Sequence, residues 1–330
     1  MNDRRVCDIE VAEGITLRVH EAGDPDHPTV VLCHGFPELA YSWRHQMGAL
    51  ADAGFHVLAP NQRGYGHSSA PREVGAYGIG SLTADLVAVL DHVGKDDAVF
   101  VGHDWGAMIV WDMARLHPHR VRAVAGVSVP FVHWPAPPTQ LLKAAVGEQF
   151  FYILYFQQVG PAEAELEADP RVTMATTLFG VSGAAVGART ALSEPLPIEG
   201  TGFLTAMPAP GGLPFTGPEG PWLSSADLQV YADELAHSGF FGPLSYYRNL
   251  DANSAVTAHL SAADVTMPSC FIGGALDPVL TLDPTGIERM EQSLPEFRGA
   301  TLIPGSGHWV QQETPAAFND ALLGFLATLS

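Results

Sequence analysis

The 330-residue chain is poor in cysteine and in basic residues, and it has no long hydrophobic run. Its three cysteines, Cys7, Cys33 and Cys270, form neither a metal-ligand spacing nor a Cys-x-x-Cys pair, which argues against a thiolate metal centre or a disulfide framework. Cys33 and Cys270 lie in apolar, strand-like stretches and read as buried free thiols of a reducing compartment. Lys and Arg total 16 against 36 Asp and Glu, a formal net charge of -20. Such a surface disfavours nucleic acid or an anionic membrane as partner. No stretch approaches the roughly 20 apolar residues needed to cross a bilayer. Arg4 and Arg5 are followed by acidic and polar residues instead of the apolar core of a signal peptide. A cytoplasmic protein is expected, and nothing in the pattern specifies an oligomeric state.

What is present is an alternation of short buried-strand runs with helical patterns. Thr29 to Cys33, His56 to Pro60, Ala98 to Val101 and Val121 to Val129 are apolar or β-branched, and Ser81 to His92 and Met108 to Leu116 carry helical periodicity, with Ser81 as the expected cap. This order predicts an α/β fold with a mostly parallel, doubly wound sheet. The regularity breaks after Pro130, at His133-Trp134-Pro135-Ala136-Pro137-Pro138, and a helical, aromatic stretch follows. It resumes with strands at Ser269 to Gly273 and Ala300 to Ile303 and a closing helix at Pro315 to Leu329. The expected organisation is a core from residues 1–133 and 253–330, interrupted by a helical lid at 134–252. The Pro/Gly-rich tract from Pro195 to Pro221 reads as a fixed lid loop, because Phe203, Leu204, Met207, Leu213 and Phe215, with Trp222 beyond, are apolar anchors a flexible linker would not need.

A further absence is chemical. The segment Val101-Gly102-His103-Asp104-Trp105-Gly106-Ala107 joins a strand to a helix through a tight, small-residue turn, yet it holds an aspartate where a hydrolase elbow usually holds a serine. A serine attacking saturated carbon would form an ether with no hydrolysable carbonyl. A carboxylate forms an ester that carries its own carbonyl, and it is already ionised at neutral pH, so its attack needs no base. Asp104 therefore points to displacement at sp3 carbon, with a histidine free to serve a second, hydrolytic step.

Two further residues fall at predicted strand ends: Asp277 in Gly274-Ala275-Leu276-Asp277-Pro278 and His308 in Gly305-Ser306-Gly307-His308-Trp309. In the order nucleophile, acid, histidine, Asp277 orients His308 and His308 activates water. The loop His34-Gly35-Phe36-Pro37-Glu38 follows another strand, and its Phe36 amide can join that of Trp105 as an oxyanion hole. Together with Arg63-Gly64-Tyr65-Gly66-His67-Ser68-Ser69-Ala70-Pro71 and the pieces Tyr152-Ile153-Leu154-Tyr155-Phe156-Gln157 and Tyr246-Tyr247-Arg248-Asn249, these motifs resemble those of the epoxide hydrolases of the α/β-hydrolase fold, over nearly the whole chain. Asn61, where relatives often carry Asp, is a departure that lies off the chemistry.

The resemblance implies a cis Phe36-Pro37 bond and a hydrophobic epoxide substrate hydrolysed with water alone, without metal or cofactor. It also implies that Tyr152 and Tyr247 hydrogen-bond the epoxide oxygen. Independently, an opening epoxide releases an alkoxide that needs an acid, which two phenols can supply; the residues by themselves leave Tyr155 and Tyr246 as alternatives. Phe36, Trp105, Phe151 and Phe156 are expected to form an apolar substrate wall, with Trp309 either joining it or serving packing. His34 and His103 read as structural hydrogen-bonding groups, and His117, His119 and His133 as a solvated helix end and loop. A haloalkane dehalogenase also uses an aspartate nucleophile, but a departing halide needs indole or amide donors where this chain has Phe36 and Tyr247-Arg248-Asn249. A non-catalytic binding protein on the same scaffold has no need of the intact triad.

Overall fold

The computed structural model describes residues 5–188 and 195–329, so Arg4 lies outside the described residues. Among the described residues ten strands form: β1 (Arg5–Ala12), β2 (Ile15–Ala22), β3 (Thr29–Cys33), β4 (His56–Pro60), β5 (Ala98–His103), β6 (Val121–Val127), β7 (Phe215–Gly217), β8 (Gly220–Leu223), β9 (Ser269–Gly274) and β10 (Phe297–Ile303). Eight of them make one sheet, in the order β1-β2-β4-β3-β5-β6-β9-β10. From β4 to β10 neighbouring strands are parallel, while β2 runs antiparallel to both β1 and β4. The fold is thus the expected α/β type, extended at one edge by a hairpin that the apolar runs did not disclose. The reason is visible in burial: β1 is an edge strand with Ile9 as its fully buried position, and the charged residues Arg5, Asp8 and Glu10 interrupt its apolar ones.

β3, β4 and β5 are buried along their whole length. Side chains of successive strand residues point to opposite faces. Val31, Cys33 and Phe100 accordingly enter one core and Val30, Leu32, Val99 and Val101 the other. The helix Trp105–Leu116 covers the first face with Ile109, Val110 and Met113; the helix Pro315–Ala327 covers the second with Phe318, Leu322, Phe325 and Leu326. A sheet sealed on both faces leaves the carboxyl ends of its parallel strands as the place where loops can build a site.

The second helix of the core starts earlier than Ser81 suggested. It spans Ile79–His92 with Gly78 as its N-cap, and no side chain caps it locally. Instead, Asn253 Oδ1 accepts the Ile79 amide at 2.8 Å, a cap supplied from 174 residues away that no local pattern could reveal.

Between β6 and β9 the chain forms helices at Pro138–Val146, Tyr152–Tyr155, Pro161–Glu167, Pro170–Gly180, Gly183–Gly187, Ser225–Ser238, Phe241–Arg248 and Leu250–Thr257. A break at residue 252 would fall inside the last of these. The tract after Pro195 is anchored as its apolar residues suggest: Phe203, Phe215 and Trp222 are buried, Leu204, Met207 and Leu213 pack against the core, and Glu165 accepts the amides of Phe203 and Leu204. Among the described residues, no helix is long and apolar enough to cross a membrane.

Candidate active site

Asp104 occupies the residue between β5 and the helix Trp105–Leu116, with φ 53° and ψ -118°. A non-glycine residue at positive φ is strained, and the surrounding structure must impose it. Here the imposition is close packing. A Cβ at Gly106 would lie 2.1 Å from the Cys33 carbonyl oxygen, and one at Gly35 would lie 2.4 Å from the Cβ of Asp104. The elbow and the loop after β3 therefore touch backbone to backbone. The Phe36-Pro37 bond in that loop is cis, as the resemblance implies.

The chain ends of three strands meet at Asp104. The Phe36 amide donates to Asp104 Oδ1 at 2.7 Å, and His308 Nε2 lies 3.5 Å from Asp104 Oδ2. On the far side of the imidazole, Nδ1 is 3.1 and 3.0 Å from the two oxygens of Asp277. Asp277 is itself fixed as the N-cap of the short helix Pro278–Leu282, accepting the Val279 amide at 2.9 Å. The Trp105 amide, at the first position of its helix, follows Asp104 directly.

Burial drives the Asp104 carboxyl upward, but the hydrogen bond and charge of His308, with help from His103 and the Phe36 amide, outweigh it and hold the carboxyl below its ordinary range. Burial likewise opposes a charged His308, yet the Asp277 and Asp104 carboxylates raise its pKa well above the usual value. Both shifts favour the charged forms, a carboxylate facing an imidazolium.

His308 is also held through its backbone. Its carbonyl accepts from Ser128 Oγ at 2.9 Å and from His103 Nε2 at 2.8 Å, and its amide donates to the Val181 carbonyl at 3.0 Å. A carbonyl only accepts, so His103 Nε2 is the donor to it. The other His103 nitrogen faces Glu38, which also accepts from Gln311 and Gln312. His34 accepts the Gln62 amide at Nε2, and burial pushes its pKa down to about 4. Both histidines are thus occupied by hydrogen bonds within the structure. His117 pairs with Thr83, and among the described residues no cluster of three or more His, Cys, Asp or Glu is placed to hold a metal ion.

Four tyrosines stood as possible proton donors, and the fold separates them. The Tyr246 hydroxyl donates to the Arg63 carbonyl at 2.9 Å, tying its helix to the Arg63-Gly64-Tyr65-Gly66 loop, while Arg63 pairs with buried Asp85. The Tyr155 hydroxyl is bonded to Glu165 and, mainly through burial, pushed up to about 12. Tyr152 and Tyr247 instead pack edge to face on each other, with ring centroids 5.9 Å apart, and both are raised first by burial and next by the charge of Asp104.

Around them is an aromatic enclosure. The ring of Phe36 packs on Tyr247, Phe156 and Phe203 at 5.3, 5.5 and 6.1 Å, and Trp105 packs on Tyr247 at 5.1 Å. Phe151 lies 5.1 Å from Tyr152. Trp309 is buried behind His308 and donates its indole N–H to the Leu178 carbonyl at 2.7 Å. Phe203 was legible only as an anchor of the Pro/Gly-rich tract. Its place beside Tyr152, at 5.8 Å, depends on how that tract folds back, which no spacing encodes.

The arrangement pairs an ionised carboxylate with an oriented histidine, an amide donor and two phenols in an apolar setting. Comparison with known proteins gives the family. The family described as alpha/beta hydrolase fold matches residues 28–154. Epoxide hydrolase A of Mycobacterium tuberculosis is 49% identical over 96% of this chain and 95% of its own length. The bifunctional epoxide hydrolase 2 of Sus scrofa is 38% identical over 96% of this chain and 54% of its own. The crystal structure of epoxide hydrolase A from Mycobacterium thermoresistibile superposes with a TM-score of 0.88 at 46% identity, covering 99% of this chain and 98% of that one. By sequence identity and by fold alike, the chain belongs to the epoxide hydrolase family of the α/β-hydrolase fold.

Proposed function

We propose that the protein hydrolyses a hydrophobic epoxide to a vicinal diol through a hydroxyalkyl ester on Asp104. Oδ2 attacks one epoxide carbon, the carbon–oxygen bond of the ring breaks, and the departing oxygen takes a proton from Tyr152 or Tyr247. The resulting tyrosinate is reprotonated from the His308 imidazolium, whose pKa falls because esterification has removed the Asp104 charge. Neutral His308 then takes a proton from water, and the hydroxide attacks the Asp104 carbonyl carbon. The oxyanion develops on Oδ1, where the Phe36 and Trp105 amides serve as donors. Collapse releases the diol oxygen with the proton from His308, and the new carboxylic acid returns its proton to the imidazole.

In this reading Asp277 keeps His308 oriented, and Phe36, Trp105, Phe151, Phe156 and Phe203 form the wall for the apolar substituent, with Trp309 supporting His308 from behind. Residues from about 134 to the end of the helix Leu250–Thr257 act as the lid that carries both tyrosines. No metal or cofactor takes part.

The observation that carries the reading is the edge-to-face packing of Tyr152 and Tyr247 near an aspartate whose two oxygens have different partners. Phenols suit a forming alkoxide; a halide has no use for a proton. The test is a single turnover of styrene oxide with enzyme in excess in heavy-oxygen water. The new diol oxygen is expected to be light, because Asp104 supplies it. A fully labelled first-turnover diol excludes the ester, and absence of diol excludes the substrate class.

A further inference from the structure

Glu313 has no part in the chemistry above, yet it is buried, 1% exposed, directly behind the histidine. Its two oxygens collect three backbone amides. Oε2 accepts from Gly183 at 2.8 Å and Gly307 at 3.2 Å; Oε1 accepts from Gly307 and Trp309, both at 3.2 Å. Two of these donors flank His308 on either side. The third begins the helix Gly183–Gly187, in the segment whose Val181 carbonyl accepts the His308 amide. The two stretches touch without side chains between them: a Cβ at Gly307 would lie 2.2 Å from the Gly183 nitrogen, and one at Gly183 would lie 2.2 Å from the Gly305 carbonyl oxygen. One carboxylate thus fastens the histidine turn to a segment inserted between β6 and β9.

Desolvation is the main force on this group, followed by the three amides, which oppose it, and by Asp277, which adds to it. The carboxyl is pushed up to about 7. A buried acid retained at such a cost, in contact with a catalytic turn, is the pattern of a site under functional constraint.

We propose that Glu313 is a positioning residue for the hydrolytic step, holding the Gly307–Trp309 turn so that His308 Nε2 stays directed at the ester carbonyl on Asp104. It touches neither substrate nor the reacting atoms. The inference rests on the ester mechanism, in which alkylation by Asp104 needs no base and release needs His308. Loosening the turn therefore slows release and spares alkylation. A displacement of the order of 1 Å at a catalytic group costs up to about 10²-fold in rate.

The experiment measures both steps in Glu313→Gln and Glu313→Asp by rapid-quench single turnover with styrene oxide, following the ester on intact protein by mass spectrometry. Gln keeps the shape but replaces one acceptor oxygen by a donor that meets an amide N–H, so two of the contacts cannot both be satisfied. Release is expected to fall about tenfold to hundredfold in Glu313→Gln with alkylation within about twofold of wild type. Glu313→Asp retains two acceptor oxygens and should recover part of the loss. A merely structural role would lower both steps together, in proportion to the folded fraction read from urea unfolding. Equal loss in both steps, or no loss in either, overturns the proposal. Should Glu313→Gln not fold, Glu313→Asp decides alone by the same ratio of the two steps. Absence of any ester in the wild-type reaction is a different result: it removes the mechanism on which the proposal stands.

Discussion

Phe36 donates its amide to Oδ1 of Asp104 at 2.7 Å and leaves the other oxygen facing His308. The carboxylate is therefore not symmetric. In the proposed ester mechanism, one oxygen is already seated where negative charge develops during hydrolysis, and the other is left to attack. Because Gly35 lets the loop approach the elbow backbone to backbone, this preference is present before any substrate binds and costs no reorganisation during the reaction.

Replacing His308 with Gln separates the two steps. Alkylation by an ionised Asp104 needs no base, whereas the ester needs activated water. Intact-protein mass spectrometry of His308→Gln after exposure to styrene oxide should show one substrate mass added and retained. An unmodified variant would mean that the histidine is required for alkylation as well.

Tyr152→Phe and Tyr247→Phe each remove one donor to the forming alkoxide. The alkylation rate should fall by roughly 10²- to 10⁴-fold in each, the range of general acid catalysis, and the double variant should be nearly inactive. With wild-type protein, diol from an aromatic epoxide should exceed bromide from a matched bromoalkane. Greater bromide release, or single variants that alkylate at the wild-type rate, would transfer the assignment to a dehalogenase.

The electrostatics of the pair have a definite sign. His308 is raised above its ordinary 6.5, so the stability its protonation contributes is complete below about that value and is lost as pH rises through the folded pKa. Asp104 is depressed below 3.8, so its contribution is present above that value and is lost as pH falls through the folded pKa. In Asp104→Asn the imidazole keeps Asp277 but loses the second carboxylate, and its NMR titration midpoint should move down relative to wild type. An unchanged or higher midpoint would show that Asp104 does not stabilise the imidazolium.

Phe318 offers a control on the opposite sheet face. It is fully buried against Trp43, at 6.1 Å between ring centroids, within the core that does not touch the tyrosines. Phe318→Ala should lower the unfolding free energy by about 3–5 kcal/mol, read from the urea midpoint at unchanged slope. The ratio of alkylation to release should remain that of wild type; a changed ratio would reveal coupling across the sheet.

The chain by itself determined the kind of chemistry and the scaffold for it. A carboxylate at a strand-to-helix elbow is a local feature, and the order Asp104, Asp277, His308 at the ends of β5, β9 and β10 is set by the alternation of buried strands and helices, which apolar periodicity displays directly. Tertiary structure alone decided which groups share a volume. The hydroxyls of Tyr155 and Tyr246 are turned to Glu165 and Arg63, the helix at Ile79 is capped by a distant Asn253, Phe203 closes on Tyr152, and Glu313 collects amides from two separate segments. These are pairings between residues far apart in the chain, or choices between side chains one or three positions apart on one helix. Local periodicity cannot rank them, because what selects among them is the packing of one surface on another and the need to satisfy every polar group it buries.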